Sequence, residues 1–418
     1  MTRVGLIFGS RSVEHEISIT TASKAYEVLR QLQGEVETVP LYLNKIGAWL
    51  TGPAAVALLT TEAEGRACQE PARRKALQEA YKARLQTLER AGGSTEAEQW
   101  FLSPDRTVRN LCLGPERVSW WKKAARPGLD IAFPVVHGTH GEDGTLQGLF
   151  ELADLPYVGP GPAASAAGMD KILSKQIFRG VGLPTVEAVW FSRRQWLVDE
   201  AARIAEVESR LGYPVVLKPA VAGSSVGIAR AASGQELRRA VGEAIQFSAR
   251  VIVERAIEDR LEVQCALLGN HDPQVSECEE LTQAAGIVSF EDKYLRRPDR
   301  EAADLAPSTI PARIPEEFAR RVKALAVEAF AALDARGIAR VDFLVDRKTM
   351  QPFVNEVNTL PGSLCLRLWE ASGVSPATLI RRLLALAVEA HEEKGRTRFE
   401  SREGAGFVDR KHLMSPGK

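Results

Sequence analysis

Arg340-Val-Asp-Phe-Leu-Val-Asp-Arg-Lys-Thr-Met-Gln-Pro-Phe-Val-Asn-Glu-Val-Asn-Thr-Leu-Pro-Gly362 is the stretch on which the fold turns. Polar and apolar residues alternate from Arg340 to Asp346 and again from Phe353 to Asn358. A period of two marks strands with one face on a core and the other on a polar space. The short Arg347–Gln351 segment between them can turn the chain, so the two strands should pair as an antiparallel hairpin. Glu356 and Asn358 are two apart and share a face, with Asp342 on the neighbouring strand. Two carboxylates and an amide oxygen are hard ligands of the kind magnesium takes, its octahedron completed by water and phosphate oxygens. By itself such a triplet is common on a solvent-facing strand edge, so its weight depends on the rest of the chain.

Upstream, Tyr213-Pro-Val-Val-Leu-Lys-Pro219 reads as a strand running into Ala222-Gly-Ser-Ser-Val-Gly227. Small residues let such a loop close over phosphates, with Lys218 adding charge. It is not a Walker A loop, and no G-x-G-x-x-G opens the chain. Val251-Ile-Val-Glu254 is a further short strand. Asp130-Ile-Ala-Phe-Pro-Val-Val136 is a buried strand ending in the glycine-rich His137-Gly-Thr-His-Gly-Glu-Asp-Gly144. The chain opens with Val4–Phe8, a Gly9-Ser10 turn and helical spacing from Ile17 to Leu32, as α/β binding domains often do. Thr61–Gly93 is charged, with Leu77, Tyr81, Leu85 and Leu88 at helical spacing, and reads as a surface helical insert. The segment after His391 reads as a polar, mobile tail.

Composition sets the outer bounds. The 418 residues suffice for two or three domains, and 45% apolar with 26% charged residues is ordinary for a globular protein. Lys+Arg and Asp+Glu are both 54, so net charge gives no reason to expect nucleic acid or an anionic membrane as a partner. The five cysteines form no C-x-x-C and suit a reducing compartment. With no signal-peptide pattern and no apolar run near the roughly 20 residues of a spanning helix, a cytoplasmic protein is expected.

Taken in order, the motifs resemble the D-alanine–D-alanine ligase family of the ATP-grasp superfamily. They are Phe8-Gly-Ser-Arg-Ser-Val-Glu-His-Glu-Ile-Ser18, His137-Gly-Thr-His-Gly-Glu-Asp-Gly-Thr-Leu-Gln-Gly148, Tyr157-Val-Gly-Pro-Gly161 and Met169-Asp-Lys171. Lys218-Pro219, Gly223-Ser-Ser-Val-Gly227, Glu291-Asp-Lys-Tyr294, Arg340-Val-Asp342 and Asn355-Glu-Val-Asn-Thr-Leu-Pro-Gly362 follow. The resemblance covers most of the chain apart from the insert and the tail.

It implies an α/β ATP-grasp fold of three α/β domains, with ATP held between the second and third. The expected boundaries are 1–159 with the insert at about 61–93, 160–254, 255–390 carrying the metal and substrate site, and a polar tail at 391–418. Lys171, Lys218, Gly223 and Ser225 would meet ATP phosphates. Glu254, Ala256 and Ile257 would line the adenine, and Glu262 would contact the ribose. Asp342, Glu356 and Asn358 would hold two Mg2+ (or Mn2+) ions. Glu14, linked to Ser224 and Tyr294, would hold the ammonium of the first D-alanine, with His137 close by. Lys293 and Tyr294 would lie on a loop closing over the site. A homodimer is the family's usual state.

The chemistry implied is activation of a carboxylate as an acyl phosphate, then attack by the amine of a second amino acid. Donors must stand ready for the tetrahedral oxyanion, and Arg340 and the Gly362 N–H are the candidates. After Pro361-Gly362 the sequence departs from the family pattern of Phe-Thr followed by a serine that binds the acceptor carboxylate. Here Ser363-Leu-Cys-Leu-Arg-Leu-Trp-Glu370 is several residues shorter, and Ser363 or Arg367 is expected to replace that contact. Tyr294 points to D-alanine rather than a hydroxy acid as acceptor. A ligase with another acceptor (D-lactate, D-serine or another amino acid) is the alternative. A non-catalytic nucleotide-binding module is disfavoured, because the metal ligands and phosphate lysines are all present.

Overall fold

The computed structural model describes residues 1–90, 98–102, 111–113, 128–223, 226–281 and 308–398. Three β-sheets organise them. The first contains β1 (Thr2–Gly9), β2 (Val36–Leu43), β3 (Trp49–Thr51), β4 (Glu98–Leu102), β5 (Leu111–Leu113) and β6 (Ile131–Pro134), in the order β5-β4-β3-β2-β1-β6. Strand β1 lies parallel to β2 and β6, and both of its faces are buried, which is why Val4–Phe8 is a continuous apolar run. Helix α1 (His15–Gln31) crosses one face, and α4 (Thr145–Leu152) covers the other with Leu146 and Phe150.

Helices α2 (Pro53–Ala67) and α3 (Pro71–Glu89) occupy the expected insert and correct it. The helical pair begins at Pro53 rather than Thr61, and α2 is not peripheral. Leu58 and Leu59 are fully buried in the core shared with α1. Only α3 behaves as a surface element, with Leu88 its one buried residue. Its end is tied inward through Glu89, which bonds Tyr42 and the Lys45 N–H. Residues 91–93 lie outside the described residues.

Helices α5 (Pro162–Met169) and α6 (Lys171–Gly180) lead into the second sheet. Its strands are β7 (Ala188–Ser192), β8 (Val215–Pro219), β9 (Ala229–Ala231) and β10 (Arg250–Arg255), antiparallel in the order β7-β10-β8-β9. Helices α7 (Arg193–Val198), α8 (Glu200–Arg210) and α9 (Gly234–Ala244) flank it, and the core against one face includes Val207, Leu217, Val241 and Val251. Alternate residues of β10 and β8, among them Lys218, Ile252 and Glu254, face the other way.

The third sheet carries β11 (Arg260–Leu268), β12 (Gln274–Val275), β13 (Glu279–Leu281), β14 (Ser308–Thr309), β15 (Ile338–Asp346) and β16 (Gln351–Asn358). The expected β15–β16 hairpin is there, antiparallel across residues 347–350. One face of β15 buries Ala339, Val341, Phe343 and Val345 against α10 (Glu316–Ala332). Simple alternation does not hold in β16. A bulge skips Asn355, so Val354 and Val357 both reach the core while Asn355, Glu356 and Asn358 stay on the polar side. Bulges re-aim side chains in this way and are common beside active sites.

A tight turn at Gly362–Cys365, α11 (Leu366–Ala371) and α12 (Pro376–Gly395) complete the fold. Leu379, Ile380 and Leu383 of α12 pack back onto α1 and the first sheet. The expected tail boundary at His391 is corrected, since α12 continues to Gly395. Residues 399–418 lie outside the described residues. Among the described residues no single helix is long and apolar enough to cross a membrane.

Candidate active site

The polar face of the third sheet is the floor of the site. Gln264, Asp342 and Glu356 form one row across β11, β15 and β16, and Ala266, Arg340 and Asn358 form the next. Arg340 donates to both oxygens of Asp342, Nε to Oδ1 at 2.6 Å and an Nη to Oδ2 at 2.7 Å. This two-pronged contact outweighs the cost of burial and raises the guanidinium's already high pKa. Asn358 Nδ2 donates to Asp342 Oδ2 at 3.0 Å. Glu262 lies farther along β11, where Arg260 Nε meets its Oε1 at 3.0 Å.

Two lysines reach this floor from the second sheet's side. Lys171, first residue of α6, places Nζ 3.5 Å from Glu356 Oε2 and donates to the Ala222 carbonyl at 2.8 Å. Lys218 donates to Asn355 Oδ1 at 2.9 Å, the residue the bulge turned outward. Glu254 is buried between Lys175 at 2.7 Å and Lys218 at 2.8 Å. Burial alone would raise its pKa, but the two ammonium groups hold it down at about 2. Its carboxylate anchors Lys218. Ala256 and Ile257 follow β10, half-buried.

From the first sheet come Glu14 and the loop after β6. Glu14 is buried, and its carboxylate packs against two glycines. A Cβ on Gly223 would stand 2.1 Å from Glu14 Oε2, and one on Gly138 would stand 2.6 Å from it. Only glycine lets the Gly223 backbone come this close, and that approach docks the Gly/Ser loop on the N-terminal part of the chain. His137 is buried, bonded through Nε2 to Thr21 Oγ1 at 2.8 Å and through its other side to the Leu360 backbone. Burial and the nearby Arg340 charge lower its pKa to about 4, so the ring is neutral. Glu142 accepts from the Gly138 N–H at 2.6 Å and also meets the Leu360 backbone. Burial and the Glu14 charge push it up to about 8. The 137–142 loop thereby clasps the chain just before Gly362.

The turn after Pro361 closes the site. Ser363, Leu364 and Cys365 have φ of 48°, 53° and 53°, three left-handed residues in a row without a glycine. The Ser363 N–H donates to Thr21 Oγ1 at 3.3 Å, and Lys24 Nζ donates to Ser363 Oγ at 3.2 Å. Cys365 is buried beside Arg340, and burial pushes its thiol up to about 12.

Of the residues singled out from sequence, Glu14, His137, Lys171, Lys218, Gly223, Glu254, Arg340, Asp342, Glu356, Asn358 and Ser363 are linked by these contacts. Gly362 opens the turn beside them. Arg367 is exposed on α11, so the expected carboxylate contact from it has no support in its placement. Ser224, Ser225, Lys293 and Tyr294 lie outside the described residues. Thr21, Lys24, Glu142, Lys175 and Asn355 were not singled out. Glu142 stood inside the glycine-rich motif, and Lys175 one helical turn after Lys171. Thr21 and Lys24 look like any polar residues on a helix.

Among the described residues no three His, Cys, Asp or Glu side chains form a metal cage. Asp342, Glu356 and Asn358 instead present oxygen donors on one face of the third sheet. Two carboxylates and an amide suit a magnesium ion that takes most of its ligands from phosphates and water.

The chain matches family models described as D-ala D-ala ligase N-terminus over residues 3–160 and D-ala D-ala ligase C-terminus over 177–385. It is 36% identical to the D-alanine--D-alanine ligase of Shouchella clausii over 394 residues, 93% of this chain and 95% of that one. This chain belongs to the D-alanine–D-alanine ligase family. The Acetivibrio thermocellus ligase of the same name is 35% identical, covering 94% and 97% of the two chains. Among solved structures, the D-alanine-D-alanine ligase from Coxiella burnetii superposes with a TM-score of 0.71 at 27% identity, covering 95% and 98%. The VanG D-Ala:D-Ser ligase from Enterococcus faecalis superposes at 0.72 and 29%, covering 92% and 99%. The D-alanine-D-alanine ligase neighbour carries the ATP-grasp fold, and family membership makes this chain an ATP-dependent ligase.

Proposed function

We propose that this enzyme joins two molecules of D-alanine through a D-alanyl phosphate made with ATP, supplying the dipeptide of peptidoglycan precursors. The observation that carries it is the convergence of Glu14 from the first sheet, Lys171 and Lys218 from the second sheet's side, and Arg340 and Asp342 from the third. A ligase of this kind needs an ammonium holder, a phosphate cradle and an oxyanion donor in one place, and these residues supply them.

The family resemblance, with the contacts of Glu14, Lys171, Lys218 and Arg340, supports the following roles. Lys171 and Lys218 bind the phosphates, with Glu254 fixing Lys218 and Ala256 and Ile257 against the adenine. Glu262 takes the ribose, and Gly223 and Ser225 meet the phosphates. Asp342, Glu356 and Asn358 would hold two Mg2+ or Mn2+ ions, which when bound offset phosphate charge and polarise the transferring group. Glu14, with Ser224 and Tyr294, holds the ammonium of the first D-alanine. The carboxylate of that D-alanine attacks the γ-phosphorus and ADP departs. The amine of the second D-alanine then attacks the acyl carbon. Arg340 and the Gly362 N–H receive the oxyanion, and phosphate leaves as the amide forms. Ser363 takes the acceptor carboxylate, and Lys293 and Tyr294 close over the site and exclude water.

We read the chain as units at 1–159, 160–254 and 255–390, working as a cytoplasmic homodimer. Incubating the protein with ATP, Mg2+ and D-alanine should give one phosphate per dipeptide, with D-alanyl-D-alanine identified by mass. ATP turnover that yields dipeptide only with D-serine, or depsipeptide only with D-lactate, would move the acceptor and overturn the assignment.

A further inference from the structure

Resting on the ligase assignment above, we propose that Lys24 is the positioning residue of the acceptor half-site. Its ammonium orients the Ser363 hydroxyl and makes a free carboxylate a requirement of the second substrate. Four observations meet at this point. Lys24 Nζ donates to Ser363 Oγ at 3.2 Å, although the two residues are 339 positions apart. Thr21, one turn earlier on α1, accepts the Ser363 N–H at 3.3 Å, so one helix face holds both ends of that residue. Thr21 is in turn bonded to His137, which stands close enough to Arg340 to feel its charge. The turn is left-handed at Ser363, Leu364 and Cys365, a conformation that persists only where the surroundings impose it.

The consequence is chemical. A hydroxyl oxygen that accepts an N–H from an ammonium turns its own O–H away from that ammonium. The O–H of Ser363 is thus presented to the site as a donor, with the charge of Lys24 behind it. A carboxylate is the group that uses both, taking the hydrogen bond and the opposite charge. Glu14 is buried in the same site, and a cation at the acceptor's carboxylate end offsets its repulsion. The turn after Gly362 holds Ser363 against α1. Lys24 makes that contact productive rather than merely tight.

Steady-state kinetics with saturating ATP separates the two D-alanine sites and gives a Michaelis constant for each. In Lys24→Met the constant for the acceptor should rise about 10- to 100-fold, the size of one charge-assisted hydrogen bond. The donor constant should stay within about twofold. Preference for D-alanine over D-alaninamide as acceptor should collapse in Lys24→Met and survive in Lys24→Arg, which keeps the charge. Lys24→Gln takes the place of the methionine variant if that does not fold. An unchanged acceptor constant and unchanged discrimination against the amide in a folded neutral variant would overturn the proposal. So would equal loss in Lys24→Arg, which would assign the effect to packing. Absence of D-alanyl-D-alanine from the wild-type reaction would instead strike the assigned function. The same variants would then be read with whichever acceptor the wild type uses.

Discussion

His137 shows what burial does to a single residue here. A free imidazole takes its proton near pH 6.5, whereas His137 holds out to about 4. Its contribution to stability is therefore fully present above pH 6.5 and is lost as the pH falls from there towards 4. Between about pH 7.5 and 5 this one group should remove about 2 kcal/mol from the wild type. His137→Gln should show a pH dependence smaller by that amount, read as urea midpoints of both proteins at both pH values. Identical pH dependence would mean that the ring protonates freely in the folded state. Glu142 behaves in the opposite sense, since its folded pKa is raised to about 8. It favours the fold most at low pH and loses that contribution as the pH rises through about 8. Neither shift could be seen in the sequence. Both residues stand in a recognisable glycine motif, but their environment comes from Leu360 and Arg340, far along the chain.

At the scale of elements, the two loops that meet over Gly362 depend on close backbone approach. A Cβ on Gly141 would stand 1.9 Å from the Val136 carbonyl oxygen, an obstacle that cannot swing away as a side chain can. Gly141→Ala should cost at least about 2 kcal/mol and pull Glu142 and His137 off the Leu360 backbone. A thermal melt and a dipeptide assay check both parts, and a variant with wild-type melting would show that the loop has slack. The opposite turn, Ser363–Cys365, holds three left-handed residues at roughly 1–2 kcal/mol each. What offsets this includes Leu364, buried in the core, and the contacts of Ser363 with α1. The hairpin of β15 and β16 was legible from its alternation. Its bulge was not, because a bulge at Asn355 is a matter of what packs beneath Val354 and Val357 rather than of local pattern.

Over the whole molecule, the first sheet and the third are bound into one core by α1, α11 and α12. Helix α2 belongs to that core, and α3 joins it through Leu88. Deleting residues 61–89 would uncover Leu58 and Leu59 and remove Leu88, each worth about 1.5–3 kcal/mol of burial. It would also remove Glu89, which bonds Tyr42, the partner of His15 at 2.8 Å beside Glu14. The deletion protein should melt well below the wild type and show reduced dipeptide synthesis. Unchanged melting and activity would restore α2–α3 to the status of a surface insert.

The sequence by itself determined the family and much of the strand and helix pattern, and it supplied the residues proposed for the phosphate, metal and donor sites. Those depend on short-range order: glycine where backbone must approach, alternation where one face is buried, lysine and carboxylate in motifs. Only the tertiary structure decided that Glu254 anchors Lys218, that Arg367 is exposed, and that Thr21 and Lys24 hold Ser363. Each of these joins or separates residues distant along the chain. A polar residue on a helix carries no local mark of what another sheet will bring against it.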